Sequence, residues 1–344
     1  MADVARLGFI GLGSMGCDLV RRAAANPRAA VTAVCDVSPE RLDEARKIAR
    51  KLDQGEPQSF SDYQALLESR NLDGIVVAVP QHMHAPVSIA ALEAGYPTFC
   101  EKPMAINVEQ CRSMINTAND AGQPLMIGQV LRYLNVYRYV LERARSGELG
   151  RPVGMRTIRT MNKWRNWARP WRKRYEQCGG MLLEVNVHEI DLMLCILGPA
   201  KRVTAVGGNF ANPEVDYEDL VFAQVEFHCG ALGSISSSLC DHVGKNSAEI
   251  FLEDGTIYYD SVAQRIDLCK GENEVRTMEY DAIHPEWEEG VYREVREFVE
   301  TCLGEHPPTI TGEDGLRAVE LGQAIYTSIR EKRPVDLPLT GLSI

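Results

Sequence analysis

The chain has 344 residues, with 37 Lys and Arg against 48 Asp and Glu for a net charge of −11, and 45% of its residues are hydrophobic. This ordinary globular composition excludes disorder, collagen and coiled coil. The negative balance repels phosphate backbones and anionic lipid, so nucleic acid and membrane are not expected as partners and a small-molecule ligand is.

Because a single core rarely grows past about 300 residues, two domains are expected, spanning 1–128 and 129–344. No apolar run approaches the roughly 18 residues of a membrane span, and Met1-Ala2-Asp3 leads directly into strand-like sequence without an export signal, which points to a cytoplasmic protein. The ten cysteines are scattered, none closer than Cys100 and Cys111, so the sequence holds neither redox CxxC pairs nor zinc spacing and no metal is expected.

Along the first 128 residues, short apolar runs alternate with amphipathic stretches, the pattern of βαβ units around a parallel sheet. Strands are read at Leu7 to Ile10, Val31 to Cys35, Ile75 to Val79, Thr98 to Cys100 and Leu125 to Ile127. Ser38 before Pro39 and Asn107 with Gln110 mark helix starts, and Gly95 and Gly122 mark helix ends. From Tyr133 onward the rhythm changes. A helical stretch and a long helix over Leu182 to Leu197 precede β-rich runs at Arg202 to Gly207, Leu220 to Glu226, Ala231 to Ser238, Ser247 to Leu252, Thr256 to Tyr259 and Arg265 to Leu268. Hairpin turns at His228-Cys229-Gly230 and Glu253-Asp254-Gly255 make this an α+β domain with a large, mainly antiparallel sheet, closed by helices near Glu288 to Leu303 and Gly312 to Arg330.

Three constellations carry chemistry. Gly11-Leu12-Gly13-Ser14-Met15-Gly16 lies between a strand and a helix, with Asp36 at the end of the next strand. Glycines admit a tight turn and close approach of a pyrophosphate to a helix N-terminus, and the acid suits ribose hydroxyls. Glu101-Lys102-Pro103 directly follows a strand, where open α/β sheets bind ligands; the plain alternative is a solvated loop pair. His82 and His84 follow the preceding strand and suit hydrogen bonding at a helix start better than metal binding. In the second half, Gly179-Gly180 opens the long helix, on which Glu184, His188 and Asp191 recur at i, i+4 and i+7 beside an apolar stripe. Histidine titrates near neutrality and suits proton transfer to or from a hydroxyl, although an ordinary Glu-His helix pair has the same spacing.

These motifs resemble the Gfo/Idh/MocA family, the glucose-fructose and myo-inositol dehydrogenase-like NAD(P)-dependent oxidoreductases. The resemblance rests on Gly11 to Gly16, Glu101-Lys102-Pro103, Gly179-Gly180 followed by an acid and His188, and the closing Gly312-Glu313-Asp314-Gly315 to Pro334-Val335 segment. It implies an α/β Rossmann dinucleotide-binding domain followed by a substrate domain whose open sheet commonly builds homodimers or homotetramers. The family's catalytic lysine and histidine match Lys102 and His188, while Glu184 stands where the family has aspartate. It either bonds the substrate hydroxyl or orients His188.

The expected cofactor-binding residues are Gly11, Leu12, Gly13, Ser14, Met15, Gly16, Asp36, Val79, Pro80, His84, Glu101 and Lys102. NAD is expected over NADP because Asp36 would repel a 2′-phosphate, with Arg41 the one nearby cation that opposes this. Gln129, Arg132, Trp164, Arg165, Trp167, Arg169 and Asp191 are the substrate candidates. Several belong to a stretch from Arg156 to Tyr175 that holds eight Arg and Lys and no acid. Its tryptophans and guanidinium groups suit a lid over an anionic sugar, or else packing against a neighbouring subunit through acids such as Glu286 to Glu289. The expected reaction moves a hydride between NAD and a secondary alcohol of a sugar, polyol or sugar derivative, and the partner is that carbohydrate. Two rivals are an NAD-dependent glycosidase that oxidises its sugar transiently and a non-catalytic dinucleotide sensor.

Overall fold

The computed structural model describes residues 3–161, 169–271, 274–279 and 283–339. The chain divides into two compact units, 1–133 with 287–316 and 134–286 with 317–344. Residues 287–316, read from sequence as part of the second domain, therefore belong with the first.

The first unit alternates strand and helix: β1 (Ala5–Ile10), α1 (Ser14–Ala24), β2 (Ala29–Cys35), α2 (Pro39–Lys51), β3 (Gln58–Phe60), α3 (Tyr63–Glu68), β4 (Gly74–Val77), α4 (His84–Glu93), β5 (Thr98–Glu101), α5 (Val108–Ala121) and β6 (Leu125–Gly128). All neighbours in the order β3-β2-β1-β4-β5-β6 are parallel. β4, β5 and β6 are buried at every residue, as strands covered on both faces must be, which is why they read as unbroken apolar runs. Ser38 accepts from the Arg41 N–H, Asn107 accepts from the Gln110 N–H, and Gly122 ends α5 in the left-handed region. β3 and α3 are additions to the expected order; the three residues of β3 are too short for a periodic signal.

In the second unit, α6 (Asn135–Arg145) and β7 (Pro152–Thr160) lead to α7 (Tyr175–Cys178), α8 (Gly180–Glu184) and α9 (Val187–Leu197). Then come β8 (Ala200–Gly208), β9 (Leu220–Phe227), β10 (Leu232–Ser238), β11 (Lys245–Leu252), β12 (Gly255–Asp260), β13 (Arg265–Lys270) and β14 (Glu274–Glu279). The chain closes with α10 (Ile283–Cys302), α11 (Gly312–Glu331) and β15 (Val335–Asp336). The nine-stranded sheet runs β14-β13-β12-β11-β7-β10-β9-β8-β15, antiparallel throughout except for the parallel pair β7 and β10.

Two readings need correction here. β7, which was read as part of a helical stretch and the basic segment, is an interior strand. Its Met155 and Thr157 are buried while Arg156 is exposed and ion-pairs at 2.6 Å with Glu249, its register partner on β11. The single helix expected over 182–197 is two, broken at Val185 and Asn186. The Asn186 side chain accepts from the Ser237 hydroxyl of β10, a tertiary bond that holds this residue at the break. Among the described residues, no helix is long and apolar enough to cross a membrane.

Candidate active site

The first unit holds a cradle of backbone. Gly11 sits at φ +91°, and a Cβ there would stand 2.6 Å from the Ala78 carbonyl carbon; at Gly16 a Cβ would meet the Gly11 carbonyl oxygen at 2.0 Å. Only glycine permits this turn against the end of β4. α1 begins after Gly13 without a side-chain cap and with no acid in its first turn. Its N-terminal N–H groups and the positive end of its dipole are therefore open to an anion. Leu12 is buried, Ser14 is exposed and Met15 packs against the core.

Asp36 closes one side of this loop. Its Oδ2 accepts the Leu12 N–H at 2.8 Å and its Oδ1 accepts the Ser38 N–H at 2.9 Å, while Arg41 Nη1 lies 3.9 Å away. Each carboxylate oxygen keeps a further lone pair for a hydroxyl. The carboxylate is 9% exposed.

His84, the first residue of α4, ties two further loops together. Its Nδ1 lies 2.7 Å from the Pro103 carbonyl and its Nε2 2.9 Å from the Val79 carbonyl, with the ring buried. Only an imidazolium donates to both carbonyls, but burial outweighs them and lowers the His84 pKa to about 4. The ring is neutral at pH 7, and the shorter contact assigns its N–H to Nδ1. Val79 and Pro80 lie half-buried just beyond β4. At the end of β5, Glu101 Oε2 accepts the Lys102 N–H at 3.1 Å. Lys102 is thus held through its own N–H on one side and through the carbonyl of Pro103 on the other. Gln129 is buried after β6, and Arg132 ion-pairs with Asp314 at 3.2 Å, so its guanidinium is partly committed within this unit.

In the second unit, Glu184 ends α8, and His188 and Asp191 lie on the first turns of α9. The three expected on one helix edge therefore come from two helices, all buried, with His188 7% exposed. Glu184 Oε1 is 2.8 Å from Arg172 Nε, close enough for an ion pair although the N–H is not aligned for a good hydrogen bond. Glu189, adjacent to His188, is fully buried and pairs with Arg159 of β7 at 3.0 Å. Four arginines of the basic segment are paired from within its unit: Arg156, Arg159, Arg172 and Arg174 face Glu249, Glu189, Glu184 and Asp216. Arg169 is half-buried, and Trp164, Arg165 and Trp167 lie outside the described residues. Arg172 was visible in sequence only as one basic residue among eight. Its pairing depends on a fold contact with no local signal.

Among the described residues, no group of three His, Cys, Asp or Glu could hold a metal ion. A dinucleotide fits what is present: a glycine cradle that any Cβ would fill, an open helix N-terminus, and a carboxylate beside both.

Comparison with known proteins agrees. Residues 5–129 match the Gfo/Idh/MocA model described as an oxidoreductase family NAD-binding Rossmann fold, and residues 142–337 match its C-terminal alpha/beta domain. The chain is 28% identical to myo-inositol 2-dehydrogenase of Thermotoga maritima, over 96% of this chain and 98% of that one. It is 31% identical to 2,7-anhydro-N-acetylneuraminate hydratase of Escherichia coli, over 66% of this chain and 60% of that one. The WlbA dehydrogenase of Bordetella pertussis, solved with NADH and UDP-GlcNAcA, superposes with a TM-score of 0.85 at 26% identity, over 98% of this chain and 99% of that one. The chain belongs to the Gfo/Idh/MocA family of oxidoreductases.

Proposed function

We propose that this protein is an NAD-dependent dehydrogenase that oxidises a secondary alcohol of a sugar, polyol or sugar derivative, or reduces the corresponding ketone. The observation that carries the reading is Lys102, fixed at the carboxyl end of β5 by Glu101 and by the His84 bond to Pro103. That strand end is where an open α/β sheet meets its ligand. NAD, when bound, supplies hydride acceptance and return at its nicotinamide ring. The chain's own residues do the rest. The loop from Gly11 to Gly16 holds the pyrophosphate, and Asp36 accepts from the adenosine ribose, which favours NAD over NADP.

The Lys102 ammonium hydrogen-bonds the reacting oxygen and stabilises negative charge as it develops there. His188 takes the hydroxyl proton in oxidation and returns it in reduction. Asp191, one turn further along α9, and Gln129 are proposed to bind substrate hydroxyls. Glu184 acts through Arg172, holding the segment before α7 against α8, and Arg169 belongs to the same wall. The first unit is accordingly the cofactor domain and the second the substrate domain.

Two further parts of the proposal concern setting. All ten cysteines are free, which suits the reducing cytoplasm. The second unit's sheet exposes Val206, Phe222, Leu232 and Phe251 on β8 to β11, and a second copy of this chain is proposed to cover that face.

A redox-neutral reading is favoured by one observation: a relative at 31% identity is named a hydratase, an activity with no net oxidation. A screen of inositols, neutral sugars and uronates with excess NAD separates the two. Net formation of NADH with at least one alcohol is expected. Consumption of a glycoside with catalytic NAD and no NADH would establish the rival.

A further inference from the structure

Two carboxyl groups, Glu101 next to Lys102 and Glu294 of α10, lie buried in the first unit. Glu101 ends β5, and strand alternation puts it on the same face as Phe99, whose ring centroid is 5.7 Å from that of Phe298 on α10. Glu294 lies one turn before Phe298 on the same helix stripe as Val291, Val295 and Phe298, which pack on this sheet. Its side chain is fully buried. Room for the Glu101 carboxyl comes from β6, where Gly128 is its register partner; a Cβ at Gly128 would stand 3.2 Å from Glu101 Cδ.

Neither carboxyl has the donors that a buried carboxylate needs. Both oxygens of Glu294 and Oε1 of Glu101 are buried without a hydrogen-bond partner, although Glu101 Oε2 accepts the Lys102 N–H. Two carboxylates forced together in an apolar setting do not both ionise, and the donor they lack is a proton. Burial pushes Glu101 up to about 7 against the charge of Lys102, and burial with the charges of Glu101 and Glu297 holds Glu294 well above the carboxylate range. The other titratable groups around the pair are Asp18 of α1, ion-paired with Arg22, and Tyr133, whose hydroxyl is raised by burial beside Glu294 and Glu297.

We propose that Glu101 and Glu294 share one proton at neutral pH and that Glu294 is thereby a positioning residue for Lys102. The shared proton locks the Glu101 carboxyl so that Oε2 stays on the Lys102 N–H, and it leaves the pair with one negative charge beside the ammonium rather than two. The link to turnover rests on the role proposed for Lys102; the shared proton does not.

The test uses the full chain and reads the two parts separately. A carboxyl that keeps its proton in the folded state, while the unfolded chain releases it from pH of about 4.3 upward, makes stability fall as pH rises through that window. E294Q removes this slope, because its amide donates to an ionised Glu101 and the pair still carries one negative charge. The Tm difference, E294Q minus wild type, is expected to grow by about 3 °C or more between pH 5.5 and 8. The infrared difference spectrum at pH 7 is expected to lose a protonated-carboxyl band in E294Q. A Tm difference that does not change with pH, or no such band, overturns the shared proton.

For positioning, E294L is expected to lower kcat at least 10-fold and E294Q to restore it to within about 3-fold of wild type. Equal kcat losses in E294Q and E294L, or none in E294L, overturn the positioning role. Should E294L not fold, the kcat of E294Q decides: a loss of 10-fold or more overturns the role. Failure of the Lys102 reading shows differently, as unchanged turnover in K102A with the pH-dependent Tm difference intact.

Discussion

Glu184 Oε1 lies 2.8 Å from Arg172 Nε, with the carboxylate 4% and the guanidinium side chain 18% exposed. Glu184, four residues before His188, is therefore ion-paired through one carboxylate oxygen to a residue ahead of α7. Breaking a buried pair from one side leaves a desolvated charge, so R172A is expected to cost about 3–5 kcal/mol of stability. E184D keeps the charge and is expected to be tolerated better than E184Q. A double-mutant cycle of R172A with E184A should return a coupling of at least about 1 kcal/mol in denaturant unfolding; additive effects would show that the contact contributes nothing.

The proposed preference for NAD over NADP rests on Asp36. Its two oxygens already accept from Leu12 and Ser38, which holds the carboxylate rigidly beside the glycine loop. A 2′-phosphate brought to that place would meet a fixed negative charge, with Arg41 3.9 Å from that carboxylate to offset it in part. D36A is expected to lower kcat/KM with NAD at least 10-fold and to raise it with NADP. Equal efficiencies of the wild type with both dinucleotides would contradict the assignment.

K102A and H188A are each expected to lower kcat by about 100-fold or more, the usual scale for an electrostatic or acid-base group. The dissociation constant for NADH, read by nicotinamide fluorescence, should change by less than 3-fold. Near wild-type turnover in either variant removes that residue from the chemistry.

The sheet face of the second unit makes a separate prediction. Val206 and Phe222 are register partners on β8 and β9, 66% and 48% exposed. If a second copy covers them, F222E should halve the mass measured by light scattering or reduce it further, with the secondary structure by circular dichroism unchanged. A wild type that is already a monomer would dispose of the assembly.

The positions of the glycine loop, Asp36, the tripeptide and His188 were legible because they are coded locally: a turn that only glycine makes, or a place at a strand or helix end. Five of the six strands of the first sheet followed from their apolar runs for the same reason, β3 being the exception. What escaped the sequence depends on distant partners. β7 alternates inward Met155 and Thr157 with arginines whose charge obscured the strand, and those arginines are neutralised by Glu249 and Glu189 from other elements. The break between α8 and α9 has no glycine or proline at Val185 and Asn186; it is tied to Ser237, fifty-one residues away. Within the helix read near Glu288 to Leu303, nothing local marks Glu294; the contact of Phe298 with Phe99 puts its stripe against β5.

The central claim, hydride transfer to NAD from a carbinol carbon, is tested most directly by isotope transfer. The best alcohol from the screen, deuterated at its carbinol carbon, is turned over with NAD by the wild type, and the NADH is analysed by mass spectrometry. One deuterium per NADH is expected, with H188A giving the same label at a rate about 100-fold lower. NADH without deuterium, or label released to water while no NADH accumulates, would contradict the account.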